Sequence, residues 1–109
     1  MPFPHAEDAI VSEEKICNYL LNLAHPVGGP KAIWFHSLGY LLNDWQVLAA
    51  DLLRVAVTCE DFVAKPSPHG VKYETTGEIS VPPHHPGHVT VVWISEENTY
   101  PRLVTAYPV

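Results

Sequence analysis

Basic side chains are scarce in this sequence of 109 residues. Six lysines and arginines stand against twelve aspartates and glutamates, so the formal charge is -6 with histidine neutral. Phosphate backbones repel an acidic chain, which excludes loose, sequence-independent binding to nucleic acid. A nucleic-acid function therefore requires a local basic site. The length is enough for one hydrophobic core and too short for two ordinary domains.

Cysteine and long apolar runs are also lacking. The two cysteines, Cys17 and Cys59, fall in helical patterns, and the stretch "MPFPHAEDA" lacks the basic and apolar blocks of a signal peptide. No apolar run approaches the roughly 20 residues that span a bilayer. We therefore predict free thiols and a cytoplasmic protein without a membrane partner.

No motif for a bound cofactor is present. The loop "PVGGP" has a proline where a phosphate-binding loop would present backbone donors, so a nucleotide cofactor is not expected. His84, His85 and His88 surround a Pro-Gly turn, without a cysteine or carboxylate at a recognised ligand spacing. We predict a polar hairpin turn there, and neither a metal nor any other cofactor.

The N-terminal half has the period of helices. Ser12 can cap a first helix in which Ile16, Leu20 and Leu23 form an apolar stripe. The segment "AHPVGGP" must interrupt this helix, and "KAIWFHSLG" predicts a short second one. The third helix has apolar residues at helical spacing, namely Trp45, Leu48, Ala49, Leu52, Leu53 and Ala56.

The period changes to two after "KPSPHG". Val71, Tyr73 and Thr75 share one face of a strand, and Lys72 and Glu74 point to the other. The segments "HVTVVWIS" and "PRLVTAYPV" predict further strands.

These elements predict an α+β fold, in which three N-terminal helices pack on a curved antiparallel sheet of three to four strands. Residues 1–11 form an N-terminal arm, and residues 12–109 form a single α+β domain. The third helix is expected to pack on Val89 and Val91, or on their neighbours of the opposite face, and on Val104.

Two segments carry polar side chains that could form a site. His25 and Lys31 flank the break between the first two helices. In the last strand, Thr105 and Tyr107 share one face with Leu103. The opposite face holds Arg102, Val104 and Ala106. For these residues taken alone, structural roles are favoured, because histidine often caps a helix end, lysine is often solvated, and threonine and tyrosine are common in strands.

The segment "YLLNLAHPVGGPKAIWFHSLGY" resembles the pattern LN-x-x-HP-x-G-x-x-KA-x-x-F-x-x-x-G of an uncharacterised bacterial domain family. The closing "VVWISEENTYPRLVTAYP" is similar to the ending of that family, including its RLVTAYP strand. The resemblance runs from Asn18 to the C-terminus, and similar modules occur at the tips of polymorphic contact-dependent toxins. It implies the fold shared by barnase, EndoU, colicin E5 and D, and RelE.

The resemblance also implies the activity of a toxin-like, metal-independent ribonuclease, in which the RNA 2′-hydroxyl attacks the adjacent phosphate. The candidate catalytic residues that it implies are His25, Lys31, Arg102, Thr105 and Tyr107. The imidazole would act as acid or base, and Lys31 or Arg102 would stabilise charge in the transition state. Thr105 and Tyr107 would position the phosphate or protonate the leaving oxygen. The implied partners are RNA, with tRNA as one candidate substrate, and a cognate antitoxin or immunity protein, but not DNA.

Two departures leave other functions open. The chain is acidic overall, and it lacks a clear Glu-plus-His pair of the barnase kind or two catalytic histidines of the EndoU kind. A catalytically inactive partner-binding domain of the same fold is the first alternative. A small enzyme of unrelated chemistry that uses the same cleft is the second.

Overall fold

Helices occupy the N-terminal half and strands the C-terminal half of the computed structural model, which describes residues 1–109. The α-helices are α1 (Glu13–Lys15), α2 (Gly29–Ser37) and α3 (Trp45–Thr58). Helical turns of other kinds cover Ala6–Asp8, Ile16–Leu20 and Leu42–Asp44. The strands are β1 (Phe62–Ser67), β2 (Gly70–Ile79), β3 (Gly87–Ser95) and β4 (Arg102–Pro108). The predicted α+β class is confirmed. No helix has both the length and the apolar character that a membrane span requires.

The four strands form one antiparallel sheet in the order β1-β2-β3-β4. Each strand pairs with its neighbour in sequence, so the sheet is a meander with β1 and β4 at its edges. In β3, Val89, Val91 and Trp93 are fully buried beneath the helices. Thr90 and Val92 alternate with them and point to the opposite side. We call these two surfaces the helix-covered face and the open face.

The apolar stripe of α3 forms much of the helical side of the core. Leu48, Leu52 and Val55 are at most 1% exposed, and burial of each such side chain stabilises the fold by about 1.5 to 3 kcal/mol. Trp45 and Leu53 are only partly buried and pack at the margin of the core. The predicted stripe is therefore confirmed at its centre, with its two bulkiest flanking residues at the rim.

The first helix is shorter than its pattern suggests. Ser12 caps α1 as predicted, because its Oγ accepts a backbone N–H at 3.1 Å. The chain then widens into the π-helical turn Ile16–Leu20, which the N–H of Leu21 closes by donating to the first carbonyl of the turn at 2.8 Å. Leu23 is 60% exposed, so its predicted place in the stripe is wrong. The chain leaves the helix before Leu23 can turn towards the core.

A β-bulge interrupts the pairing of β4 with β3. Val92 pairs with Thr105 and Trp93 pairs with Leu103, so Val104 has no partner of its own. The extra residue bends the strand and shifts the alternation of its side chains by one position.

The predicted facing of Leu103, Val104 and Arg102 is therefore wrong. Strict alternation placed Leu103 beside Thr105, and Val104 beside Ala106 under the helices. Instead, Leu103 and Ala106 are both buried in the core, and Val104 is only partly buried. Arg102 pairs with a residue of the open face and so lies on the same side as Thr105.

Residues 1–11 lie against the sheet. Phe3 is 1% exposed and stacks on Tyr73 with the ring centroids 4.8 Å apart. The N–H of Ile10 donates to the carbonyl of Pro101 at 2.8 Å, and its carbonyl accepts the N–H of Leu103 at 3.0 Å. The segment therefore contributes to the core and covers part of the outer edge of β4.

Candidate active site

His25 organises the break between the π-helical turn and α2. Its Nδ1 accepts the backbone N–H of Val27 at 3.0 Å and that of Gly28 at 2.9 Å. Its carbonyl accepts the N–H of Gly29, the first residue of α2, at 2.8 Å. Because Nδ1 is occupied as an acceptor, the ring proton of the neutral imidazole lies on Nε2. His25 therefore fixes the loop, and Nε2–H is the group that it can offer to another molecule.

Tyr19 lies against this loop. A Cβ atom on Gly28 would lie 2.3 Å from the carbonyl oxygen and 2.7 Å from Cδ1 of Tyr19, so the close approach requires glycine. The His25 ring meets the Tyr19 ring edge-on, with centroids 5.0 Å apart. Tyr19 also belongs to the π-helical turn, a feature that is frequent at functional sites. The loop therefore holds Tyr19 in place through Gly28 and His25.

Lys31 connects the helical break to the last strand. Its Nζ donates to the phenol oxygen of Tyr19 at 2.6 Å and to Oγ1 of Thr105 at 2.8 Å. The two hydroxyl oxygens are 3.0 Å apart, so the three polar groups form a closed triangle. The same Nζ lies 5.9 Å from the centroid of the Tyr107 ring. We call Tyr19, Lys31, Thr105 and Tyr107 the Lys31 cluster.

The Lys31 cluster holds a positive charge without a carboxylate. Lys31 forms none of the ion pairs in the molecule and is partly buried. Desolvation raises the pKa of Tyr19, but hydrogen bonds from Lys31 and Thr105 and the charges of Lys31 and Lys15 together lower it below its usual value. An ammonium beside two hydroxyls is a donor set that suits phosphate oxygens, and a phenol of lowered pKa suits proton transfer.

The structure brings together Lys31, Thr105 and Tyr107 from the set of predicted site residues. His25 reaches the cluster indirectly, through its contact with the Tyr19 ring. Arg102 is not part of it, because its exposed guanidinium donates to the carboxylate of Glu96 in the β3–β4 turn.

Sequence reasoning missed Tyr19, which the structure places at the centre of the cluster. A tyrosine in a helical pattern is adequately explained by packing, so its type alone gave no signal. Its position did carry one: it follows the buried Ile16 by three residues and so borders the apolar stripe. At such a border a tyrosine can bury its ring and leave its hydroxyl at the edge of the core.

The histidines of the β2–β3 turn do not assemble into a ligand set. The ring nitrogen Nδ1 of His84 lies 2.9 Å from the carbonyl oxygen of Val81, within the turn itself. The group whose ligand atoms lie within 4.8 Å of one another is His5, Glu7 and Asp8, all exposed. Exposed acidic groups of this kind are common without an ion, so the geometry assigns no metal there.

Two concavities adjoin the Lys31 cluster. The first is an open depression of about 600 Å³ that Tyr19 and His25 line together with Glu14 and Lys15. The second, of about 280 Å³, lies on the open face and is lined in part by Tyr107. The cluster therefore has recessed surface on two sides, which would accommodate a chain-like ligand better than a small one.

The chain belongs to the family described as a domain of unknown function, DUF6883, whose model matches residues 2–109. No curated protein matches the sequence. Among solved structures, the chain is similar to one from a contact-dependent growth inhibition toxin - immunity protein complex of Klebsiella pneumoniae 342, with a TM-score of 0.73 and 15% identity. The alignment covers 92% of this chain and 99% of that chain. At this identity the likeness establishes a shared fold.

Proposed function

We propose that the chain is a toxin-like, metal-independent endoribonuclease and that the Lys31 cluster is its active centre. The observation that carries the proposal is the Lys31 ammonium, which is bonded to the hydroxyls of Tyr19 and Thr105 and has no carboxylate partner. Such a group can bind a phosphate oxygen and stabilise the charge that develops in the transition state. The toxin-like role draws support from the fold shared with a chain of a toxin - immunity protein complex.

The reaction would be a transphosphorylation within the RNA. The 2′-oxygen of one ribose bonds to the adjacent phosphorus, and the bond from that phosphorus to the 5′-oxygen of the next nucleotide breaks. One proton leaves the 2′-hydroxyl and one is added to the 5′-oxygen, so the products are a 2′,3′-cyclic phosphate and a 5′-hydroxyl. Because the substrate supplies the nucleophile, the protein supplies charge stabilisation, proton transfer and positioning.

Each member of the Lys31 cluster has a role in this reaction. Lys31 stabilises the negative charge on the non-bridging phosphate oxygens. Tyr19, whose pKa is lowered by its partners, accepts the proton of the 2′-hydroxyl. Tyr107 donates a proton to the 5′-oxygen, and Thr105 holds Lys31 in place. His25 acts as a positioning residue, through its contact with the Tyr19 ring.

We extend the proposal to a protein partner, a cognate immunity protein or antitoxin, and to tRNA as a candidate substrate. The formal charge of -6 favours a second function, a catalytically inactive domain that binds a partner protein, because an acidic chain has no general attraction for RNA. An assay for RNA cleavage separates the two functions.

The test is to incubate the purified protein with total tRNA and with a structured mRNA in EDTA. The wild type is expected to leave cyclic phosphate ends. Lys31→Met is expected to lower the rate about 10²- to 10³-fold, because it removes the charge that faces the phosphate. Arg54→Gln is the matched control: it removes an exposed positive charge from α3, outside both concavities, and should leave the rate unchanged.

Circular dichroism and the melting temperature would show that each variant is folded. If the wild type does not cleave either RNA, or if folded Lys31→Met cleaves as fast as the wild type, the ribonuclease assignment is wrong. The partner-binding function would then take its place.

A further inference from the structure

The concavity on the open face has a lining that the proposed reaction uses only at Tyr107. It has a volume of about 280 Å³ and draws side chains from all four strands. Its lining combines two aromatic residues, hydroxyls, an aliphatic side chain and two carboxylates: Asp61, Phe62, Val63, Glu74, Thr76, Thr90 and Tyr107. We call it the open-face pocket. An aromatic surface with polar groups around it is suited to a flat, polar molecule.

The strand register places the open-face pocket one step from the Lys31 cluster. Thr76, Thr90 and Tyr107 form one row across the sheet, and Glu74 and Thr105 lie in the next row on the same face. Successive rows on one face are about 6.8 Å apart, and two strand spacings separate the backbones of Glu74 and Thr105 by about 10 Å. A single nucleotide with its phosphate at Thr105 would reach the pocket with its base.

Glu74 places a hydrogen-bond acceptor at this pocket and is paired with a lysine outside the lining. Its Oε2 lies 2.9 Å from Nζ of Lys65, and its side chain is 28% exposed. A carboxylate only accepts hydrogen bonds and an ammonium only donates them. Asp61 adds a second carboxylate to the lining. The charged groups that line the pocket are therefore two carboxylates, which accept hydrogen bonds, in addition to hydroxyls that can donate or accept.

Guanine is the nucleobase that complements this set. Its Watson–Crick edge presents two donor groups, N1–H and N2–H, beside the acceptor O6, whereas each of the other three RNA bases has one donor group on that edge. Proteins commonly recognise unpaired RNA bases by stacking them on aromatic side chains and bonding this edge. Tyr107 supplies the aromatic ring, and it also borders Lys31.

We propose that the open-face pocket binds the guanine of the nucleotide whose 2′-hydroxyl attacks the phosphate. The base stacks on Tyr107, and its donors bond Glu74 and Asp61. This placement rests on the function proposed above, because it assumes that the phosphate lies at Lys31. The enzyme then cleaves unpaired RNA after guanosine.

The first test is the binding of the four nucleoside 3′-monophosphates, measured by calorimetry. The guanosine compound is expected to bind most tightly, and Glu74→Gln is expected to weaken its binding about 5- to 150-fold, the loss for one good base contact. Glu78→Gln is the matched control, since Glu78 lies on the same strand and face but outside the pocket. This control should leave the binding of the guanosine compound unchanged. Glu74→Gln should still fold, because the ion pair that it removes is partly exposed.

The second test is cleavage of single-stranded oligonucleotides that contain one unpaired guanosine. Guanosine-selective binding without cleavage would keep the pocket and overturn the proposed reaction. Cleavage without a preference for guanosine, or a preference that Glu74→Gln leaves intact, would overturn the pocket and keep the reaction. The absence of both selective binding and cleavage would overturn both.

Discussion

Tyr19 and Tyr40 each bond a charged side chain through the phenol oxygen, and the two charges are opposite. Tyr19 accepts a hydrogen bond from the Lys31 ammonium at 2.6 Å. Tyr40 donates one to the carboxylate of Asp51 at 2.5 Å. The first tyrosine is partly buried at the edge of the sheet, whereas the second is 1% exposed in the core.

Because their partners carry opposite charges, the pKa values of the two phenols are shifted in opposite directions. Burial raises the pKa of Tyr40, and so do the hydrogen bond to Asp51 and its charge. Burial also raises the pKa of Tyr19, but its hydrogen bonds and the nearby lysines outweigh this effect and lower it. A phenol that is held protonated in the core serves packing and hydrogen bonding. A phenol made more acidic beside a free positive charge can exchange a proton with a ligand.

The largest expected difference between the two tyrosines is in activity. Tyr19→Phe should lower the rate of the proposed RNA cleavage about 10²- to 10⁴-fold, because it removes the group that we propose as the acceptor of the 2′-hydroxyl proton. The fold should survive, since Lys31 keeps its hydrogen bond to Thr105 at 2.8 Å. Single-turnover cleavage measures the effect, with Tyr40→Phe as the control for the same chemical change. Equal rates for the two variants at equal folded concentration would contradict the comparison.

For stability the order is reversed, and the substitution of Tyr40 should have the larger effect. Tyr40→Phe should lower the free energy of unfolding by about 1.5 to 3 kcal/mol, because it removes a buried hydrogen bond to a charged group. Asp51 would keep only the guanidinium of Arg54, at 3.6 Å. Urea denaturation measures the loss. Tyr100→Phe is the control. It should have no effect, because Tyr100 is 55% exposed. A stable Tyr40→Phe would show that the buried bond contributes little.

A smaller effect is expected from the loop that holds Tyr19. Gly28→Ala places a methyl group against the Tyr19 backbone and ring, so it should destabilise the protein by about 1 to 3 kcal/mol. It should also displace the Tyr19 ring and lower the cleavage rate of the molecules that remain folded. Leu23→Ala, at a residue that is 60% exposed and outside the first concavity, controls for a change in the neighbouring segment of the chain. A variant that melts like the wild type would show that Tyr19 does not depend on this glycine.

The fold could be predicted from the sequence because side-chain periodicity reports it. Leu52 is buried where helical spacing places it, and the apolar run that predicts β3 is buried without interruption from Val91 to Ile94. The errors occur where the backbone gains or loses a residue of regular structure. The bulge at Val104 reverses the facing of Leu103, and Leu23 lies beyond the end of its helix. Neither event is visible in the apolar pattern.

The site could be predicted only in part, for a different reason. The prolines and glycines of the sequence predict the break that carries His25 and Lys31. The alternation of side chains in the last strand predicts the face on which Thr105 lies. The contact between Tyr19 and Thr105 spans 86 positions of sequence, and no local pattern reports it. The pairing of Arg102 with a carboxylate likewise depends on the path of a turn.

The smallest expected difference is in how stability depends on alkaline pH. An unperturbed tyrosine titrates near pH 10. Above about that pH the unfolded chain has lost the proton that Tyr40 retains in the fold, so the folded state binds more protons and stability falls as the pH rises. For Tyr19 the lowered pKa has the opposite consequence. Between that pKa and about pH 10 the unfolded state binds more protons, so stability rises with pH in this window.

The two substitutions should therefore change the slope in opposite directions. Tyr40→Phe should make the alkaline loss of stability shallower, and Tyr19→Phe should make it steeper, by less because solvent screens a partly exposed group. Urea midpoints between about pH 8 and 11 measure both slopes against the wild type. Tyr100→Phe is the control for the same chemical change at an exposed tyrosine. Slopes that change in the same direction for both substitutions would show that Lys31 does not set the acidity of Tyr19.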